Sequence, residues 1–452
     1  MRNSLLVIAS LAACLSWTRS SPARAATFPY PMQSETLPNG LRVVTVPMDT
    51  PGLFAYYTLV RVGSRNEVEP GHTGFAHFFE HMMFRGTARF PEEAQRQLVM
   101  ELGLHSNAFT WDDETVYFYS GPNAALDKVV ELEADRFQRL KYAKQEFQTE
   151  AKAVLGEYNK NFSNPSEKME EALLDHAFTK HTYKHTTIGF KDDILRMPSE
   201  FEYSLAFFKR FYRPDACTVF VLGDFNREQA LKKIMAEYGG WSGKVEEPKV
   251  QAEPPQKEER RARVDWPTDT KPRVMVGWHQ PQAGTREAAV AKVLGPLVFG
   301  QTSPLYEDLV LKRQMVESFD VSYSGGDPRP GHRDPRLFYY LATLKKAEDL
   351  DAVQRSVDAT IDEIKAGKVD AQRFQEIKEH LRYELLSHLE TPDQVGEVLA
   401  LMIAPTGELS AVDKQFDLLA TVTPEDVVRF AKTYLVDGNR TIVTLVSKPG
   451  SK

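Results

Sequence analysis

Cysteine is almost absent from this chain: its 452 residues hold two, Cys14 and Cys217. Cys14 lies in the N-terminal apolar run, so removal of that segment leaves one thiol and excludes an internal disulfide even in an oxidising compartment. Cys217 enters the strand-like run Thr218-Val219-Phe220-Val221-Leu222 and reads as a small buried hydrophobe rather than a nucleophile. Long apolar runs are equally scarce. Beyond the one from Leu5 to Trp17, none is long enough to span a bilayer. Excess positive charge is missing too, with 56 Lys and Arg against 63 Asp and Glu, which argues against nucleic acid or anionic lipid as a partner.

The N-terminal run has Arg2 before it and the small-x-small site Ala23-Arg24-Ala25 after it, so residues 1–25 read as an export signal and the mature protein is expected in the periplasm. Its removal takes three arginines and no acid, which makes the formal charge of −7 three units more negative. Leu11-Ala12-Ala13-Cys14 is a competing lipoprotein-type box that would anchor Cys14 by lipid. It ranks second, because Leu15-Ser16-Trp17 continues the apolar character and Ala23-Arg24-Ala25 offers a clear alternative.

Among the residues present, the stretch that organises the rest is His77-Phe78-Phe79-Glu80-His81. In a helix, positions i, i+3 and i+4 share a face, so His77, Glu80 and His81 point the same way, with Phe78, Phe79, Met82, Met83 and Phe84 supplying apolar bulk around them. Two imidazoles one turn apart suit Zn²⁺, and a carboxylate beside them suits a proton acceptor for water. A bare pair of histidines at i, i+4 is more often a chance pairing on a core helix. The His-x-x-Glu-His order shifts that balance, because it is the inverted zinc-peptidase signature. Further on, Thr149 to Tyr158 reads as an amphipathic helix with Glu150 and Glu157 two turns apart on one face.

HxxEH followed at this distance by Glu157, with Glu150 seven residues before it, resembles the pitrilysin and mitochondrial processing peptidase family of zinc peptidases. The resemblance implies Glu157 as the third metal ligand, Glu150 as a supporting carboxylate and Glu80 as general base for peptide-bond hydrolysis, with one zinc per chain. It also implies that the stretch matched by Asn107, Ala108, Thr110, Thr115 and Tyr117 forms a sheet edge beside the zinc, where a peptide substrate adds as an extra strand; Asn107, Ala108 and Thr110 are its substrate-binding candidates. The plain alternative for this stretch is a closed hairpin. His72 reads as a loop or cap residue, and His176, His181 and His185 are assigned no metal.

The order helix, Tyr-x-Pro-like turn and strand at 199–223 recurs at 423–446, an internal repeat of roughly 220 residues that reads as a duplicated domain. The expected fold is α+β, two homologous domains each with a mostly antiparallel sheet covered by helices: 26–243 with the metal site, a linker at 244–263 rich in Lys, Glu, Gln and Pro, and 264–452 without one, since its matching helix from Glu287 to Val298 has no histidine. The family's active members carry an arginine and a tyrosine in the second domain; Val310 and Glu317 stand where that pair is expected, while Arg313 and Tyr323 read as ordinary surface and strand residues. The resemblance therefore implies a heterodimer with a homologous chain that supplies the missing pair, a homodimer ranking second. A non-catalytic assembly subunit is the rival to the endopeptidase reading.

Overall fold

The computed structural model describes residues 28–322 and 327–448; the leader with Cys14, and Tyr323, lie outside the described residues. β1 (Gln33–Thr36), β2 (Arg42–Pro47), β3 (Leu53–Val60), β4 (His105–Thr110), β5 (Thr115–Pro122) and β6 (Cys217–Gly223) form one sheet in the order β1-β2-β6-β3-β5-β4. β7 (Arg260–Trp266), β8 (Arg273–Gln280), β9 (Val316–Val321), β10 (Arg336–Leu344) and β11 (Arg440–Ser447) form a second, ordered β7-β11-β8-β10-β9. Leave out β1 and the two orders match strand for strand, which is the duplication made visible. In each sheet one pairing is parallel, β2 with β6 and β7 with β11; the other named pairings are antiparallel.

The helices of the first half are α1 (Phe75–Met82), α2 (Glu92–Glu101), α3 (Leu126–Arg139), α4 (Lys144–Asn161), α5 (Pro165–Ala177), α6 (Lys191–Arg196), α7 (Phe201–Phe211) and α8 (Arg227–Tyr238). Those of the second are α9 (Arg286–Phe299), the short α10 (Pro304–Tyr306), α11 (Leu350–Lys365), α12 (Ala371–Ser387), α13 (Pro392–Thr406), α14 (Ala411–Thr421) and α15 (Pro424–Tyr434). β3 shows why both sheet faces are covered. Its alternate residues Phe54, Tyr56 and Val60 enter the core that holds α1, and Ala55, Tyr57 and Leu59 enter another with α13.

Two helices change sides. α5 leaves the first half and lies on β7, β8 and β11, with Leu173 and Ala177 against Met275 and Val443. α13 returns the exchange by packing Val395, Leu399 and Met402 against Tyr57, Leu59 and Phe220 of the first sheet. α13 and α14 together are apolar, yet both are packed inside the protein; among the described residues no single helix is long and apolar enough to cross a membrane.

Three details differ from the sequence reading. The helix carrying Glu150 and Glu157 runs the full 18 residues of α4. β7 takes up the last residues of the stretch read as linker, and the rest of that stretch is tied down: the Glu253 carboxylate accepts the backbone N–H groups of Thr179, Lys180 and His181 at 2.8–3.0 Å. Thr115 and Tyr117 are not on the sheet edge. They belong to β5, which is paired on both sides, by β3 and β4, so of these two strands it is β4 that lies at an edge of the sheet.

Candidate metal centre

α1 is pinned at its start. Its N-cap Gly74 has φ +90°, and a Cβ there would stand 2.4 Å from the Ile188 carbonyl oxygen, so glycine is required. Glu67, buried, accepts the Gly74 N–H through Oε2 and the Ala76 N–H through Oε1, each at 2.7 Å, and so fills the donors that a helix start leaves open. Phe75, Phe78, Phe79 and Met82 then face the core, leaving His77, Glu80 and His81 half-buried on the opposite side.

α4 crosses that side and brings the third donor. Glu157 Oε2 lies 3.6 Å from His77 Nε2 and 3.3 Å from His81 Nε2, and the three donor atoms all fall within 4.8 Å of one another. A tetrahedral zinc with bonds of about 2.0–2.1 Å needs neighbouring donors roughly 3.3–3.4 Å apart, so these residues fit the ion with little movement. His81 turns its other nitrogen, Nδ1, to Glu150 Oε1 at 2.8 Å, and Arg85 bonds the second oxygen of Glu150. That leaves Nε2 as the nitrogen of His81 that faces the donor cluster. His77 Nδ1, in contrast, is buried without a hydrogen-bond partner among the described residues.

The electrostatics point the same way. Burial, and then the charge of His81, push His77 down to about 4, so it presents a neutral imidazole. Burial also works against charge on His81, but its bonds to Glu150 and Glu157 outweigh it and push the imidazole up to about 9. Glu157 is held below the usual carboxylate range, first by its bond to His81. In the imidazolium each ring nitrogen turns its own N–H to one carboxylate, Nδ1 to Glu150 and Nε2 to Glu157, and it is the Nε2 proton that a divalent cation would displace. Burial raises the Glu80 carboxyl, and the Thr110 hydroxyl, donating to Glu80 Oε2 at 2.6 Å, offsets part of that shift.

The structure thus gathers His77, Glu80, His81, Glu150, Glu157 and Thr110. Asn107 is exposed on β4 and Ala108 is buried; Thr110, at the end of the same strand, turns its hydroxyl to Glu80. His72 stacks on Tyr203, His181 pairs with Asp334 at 3.0 Å, and His176 and His185 likewise stand outside the cluster. Val310 packs against the second core and Glu317 is an exposed partner of Lys271; neither lines the site. A cavity of about 300 Å³ beside the donors is instead closed from the second half by Arg329, His332, Arg336 and Tyr339. A spacing rule applied after α9 passes over these residues, because the charged run His332-Arg333-Asp334-Pro335-Arg336 sits one strand later.

Two family models match, one described as insulinase (peptidase family M16) over residues 48–191 and one as the peptidase M16 inactive domain over residues 201–381. The zinc protease PqqE of Helicobacter pylori is 28% identical over 424 residues, covering 91% of this chain and 92% of that protein. The mitochondrial-processing peptidase subunit beta of Lentinula edodes is 30% identical over 35% of this chain and 34% of its own length. Among solved structures, a protease from Helicobacter pylori superimposes with a TM-score of 0.86 at 27% identity over 93% of this chain and 100% of that one. The periplasmic protease PqqL of Escherichia coli shares the fold at TM-score 0.73 and 18% identity, with 93% of this chain covering 48% of that one.

Proposed function

Because this chain belongs to peptidase family M16, we propose that it is a zinc-dependent endopeptidase, exported to the periplasm, that hydrolyses peptides or unfolded segments. The observation that carries the reading is the convergence of donor atoms of His77, His81 and Glu157 within 4.8 Å of one another, with Glu80 on the same helix face as the two histidines. His77, His81 and Glu157 would hold one zinc, and Glu150 orients His81. When bound, the ion supplies a Lewis acid for the scissile carbonyl and lowers the pKa of water to about 7. Glu80 takes the proton of the attacking water and delivers it to the leaving amine nitrogen, a task that suits a carboxyl raised by burial. The free edge of β4 at Asn107 and Ala108 binds the substrate backbone as an added strand, so recognition depends little on side-chain identity.

The test is metal analysis together with peptide cleavage. About one zinc per chain is expected, lost in His77→Ala and Glu157→Gln. Glu80→Gln should keep the metal and lose roughly 10²–10⁴-fold in turnover. Wild-type turnover by that variant would remove Glu80 from the base role, and a metal-free purified protein would remove the enzyme reading altogether.

The occupation of the expected Arg and Tyr positions by Val310 and Glu317 favours a second chain: a homologous partner without HxxEH that supplies the pair, with a homodimer as runner-up. The same observation is the one in favour of a non-catalytic assembly subunit. Mass measurement of the native complex, with and without such a partner, separates them; full peptide turnover by the chain alone would end the complementation idea.

A further inference from the structure

The turn that joins β4 to β5 carries Trp111, Asp112 and Asp113, and each of the three meets the second half of the chain. The Arg329 guanidinium lies 4.1 Å above the Trp111 ring. Asp112, buried, pairs with Arg336 Nε at 2.8 Å and His332 Nε2 at 3.2 Å. Burial opposes charge on Asp112, but Arg336 and His332 outweigh it and hold the carboxyl well below its usual range. Asp113 accepts the Arg333 N–H at 2.9 Å and the Tyr183 hydroxyl at 2.6 Å. From the first half, the Ser64 hydroxyl donates to Asp112 at 3.2 Å and the Arg65 N–H to the Asp112 carbonyl at 2.8 Å. Gly63 comes so close that an added Cβ would stand 2.3 Å from the Trp111 carbonyl oxygen. Both halves therefore grip this turn.

One residue upstream is Thr110, whose hydroxyl holds Glu80 Oε2. We propose that the metal-free second half positions the general base: Arg336 and His332 fix Asp112, the turn fixes the end of β4, and Thr110 at that end fixes Glu80. The inference rests on Glu80 being the base. Its physical ground is that β4 is an edge strand with a neighbour on one side only, so the end of the strand frays unless something else restrains it. A base displaced by about 1 Å loses on the order of 10²-fold in rate. Arg336 also lines the cavity beside the donors, but the role assigned here is positional: it acts on Glu80 through Asp112 and Thr110, so its loss should fall on kcat rather than on KM.

The variant to make is Arg336→Met in the full chain, which keeps the stem of the side chain and removes the charge. Its kcat on a peptide substrate should fall roughly 10- to 100-fold with KM little changed and zinc content as in the wild type, and Arg336→Lys should recover part of the loss. Thr110→Val should lower kcat similarly while Thr110→Ser does not. Because both positions lie on one chain of contacts, the double variant Arg336→Met, Thr110→Val should be no slower than the slower single variant. Backbone amide exchange across residues 105–112 should quicken in Arg336→Met, a readout that needs no activity. Wild-type kcat, unchanged exchange, or a double variant showing the product of the two single losses would each overturn the proposal. If Arg336→Met does not fold, Trp111→Ala at a 41% exposed position removes the stacking partner of Arg329 and is read in the same way. Should Glu80→Gln cleave at the wild-type rate, the base assignment is what has failed, and the exchange measurement still decides whether the second half restrains the turn.

Discussion

Glu150 and Glu157 sit two turns apart on α4 and reach opposite nitrogens of one imidazole: Oε1 of Glu150 at 2.8 Å from His81 Nδ1, Oε2 of Glu157 at 3.3 Å from its Nε2. The first sets which nitrogen faces the donor cluster and the second completes the cluster, so their substitutions should differ in kind. Glu150→Gln keeps the shape but gives up the charge that orients His81; zinc affinity should weaken about 10- to 100-fold in a chelator competition while the folded state persists. Affinity equal to the wild type would mean that the charge of Glu150 is not needed to orient the ring. The HxxEH trio and the two glutamates were legible because helical periodicity converts spacing into a shared face. The Thr110 hydroxyl on Glu80 was not, since a contact between a strand end and a helix thirty residues earlier follows no local spacing rule.

At the scale of elements, α1 depends on a residue outside it. Glu67 is fully enclosed and accepts the N–H groups of Gly74 and Ala76 at the start of the helix that carries His77 and His81. Glu67→Ala strands both donors in a buried place, at about 1–3 kcal/mol for each, so a loss of roughly 2–6 kcal/mol in urea unfolding is expected, with Glu67→Gln milder because it can still accept one bond. A midpoint shift below 1 kcal/mol would show that water reaches the site. The strands here were also half legible. The sequence could place Thr115 and Tyr117 in a strand, but both arms of a hairpin alternate, so the pattern could not say that β5 is interior and β4 is the edge; that follows from β3 pairing with β5 across the sheet.

For the whole molecule, the ionic contacts between the halves set a pH dependence. Asp334 accepts from Arg65 Nε at 2.5 Å and contacts His181 Nε2 at 3.0 Å; burial opposes its charge, but these two hydrogen bonds and the Arg65 charge outweigh it and hold the carboxyl down at about 2. A carboxyl with a folded pKa below the unfolded value of about 3.9 adds stability that is present above pH 4 and disappears as pH falls towards 2. Wild-type protein should lose urea resistance across that window, and Asp334→Asn should show a shallower decline with little change at pH 7 beyond a constant offset. Parallel declines in the two proteins would show that Asp334 is not a contributor. The duplicated architecture was readable from the recurrence at 199–223 and 423–446. The exchange of α5 and α13 was not, because an amphipathic pattern states that a helix has a buried face and is silent on which sheet it covers.

That exchange reaches back to how the protein is made. The face of β3 formed by Ala55, Tyr57 and Leu59 is covered by α13, and the Tyr57 hydroxyl finds its acceptor at Asp393, 336 residues later. A ribosome that has released the entire first half has therefore produced a sheet with one bare apolar face, and it stays bare until α13, which begins at Pro392 of the 452 residues, emerges. Such a nascent chain cannot settle into a finished half and stays open to chaperones and to aggregation in proportion to its delay. Under the export we propose, this lateness is an advantage: the connectivity that binds the two halves together also keeps the first from closing too soon.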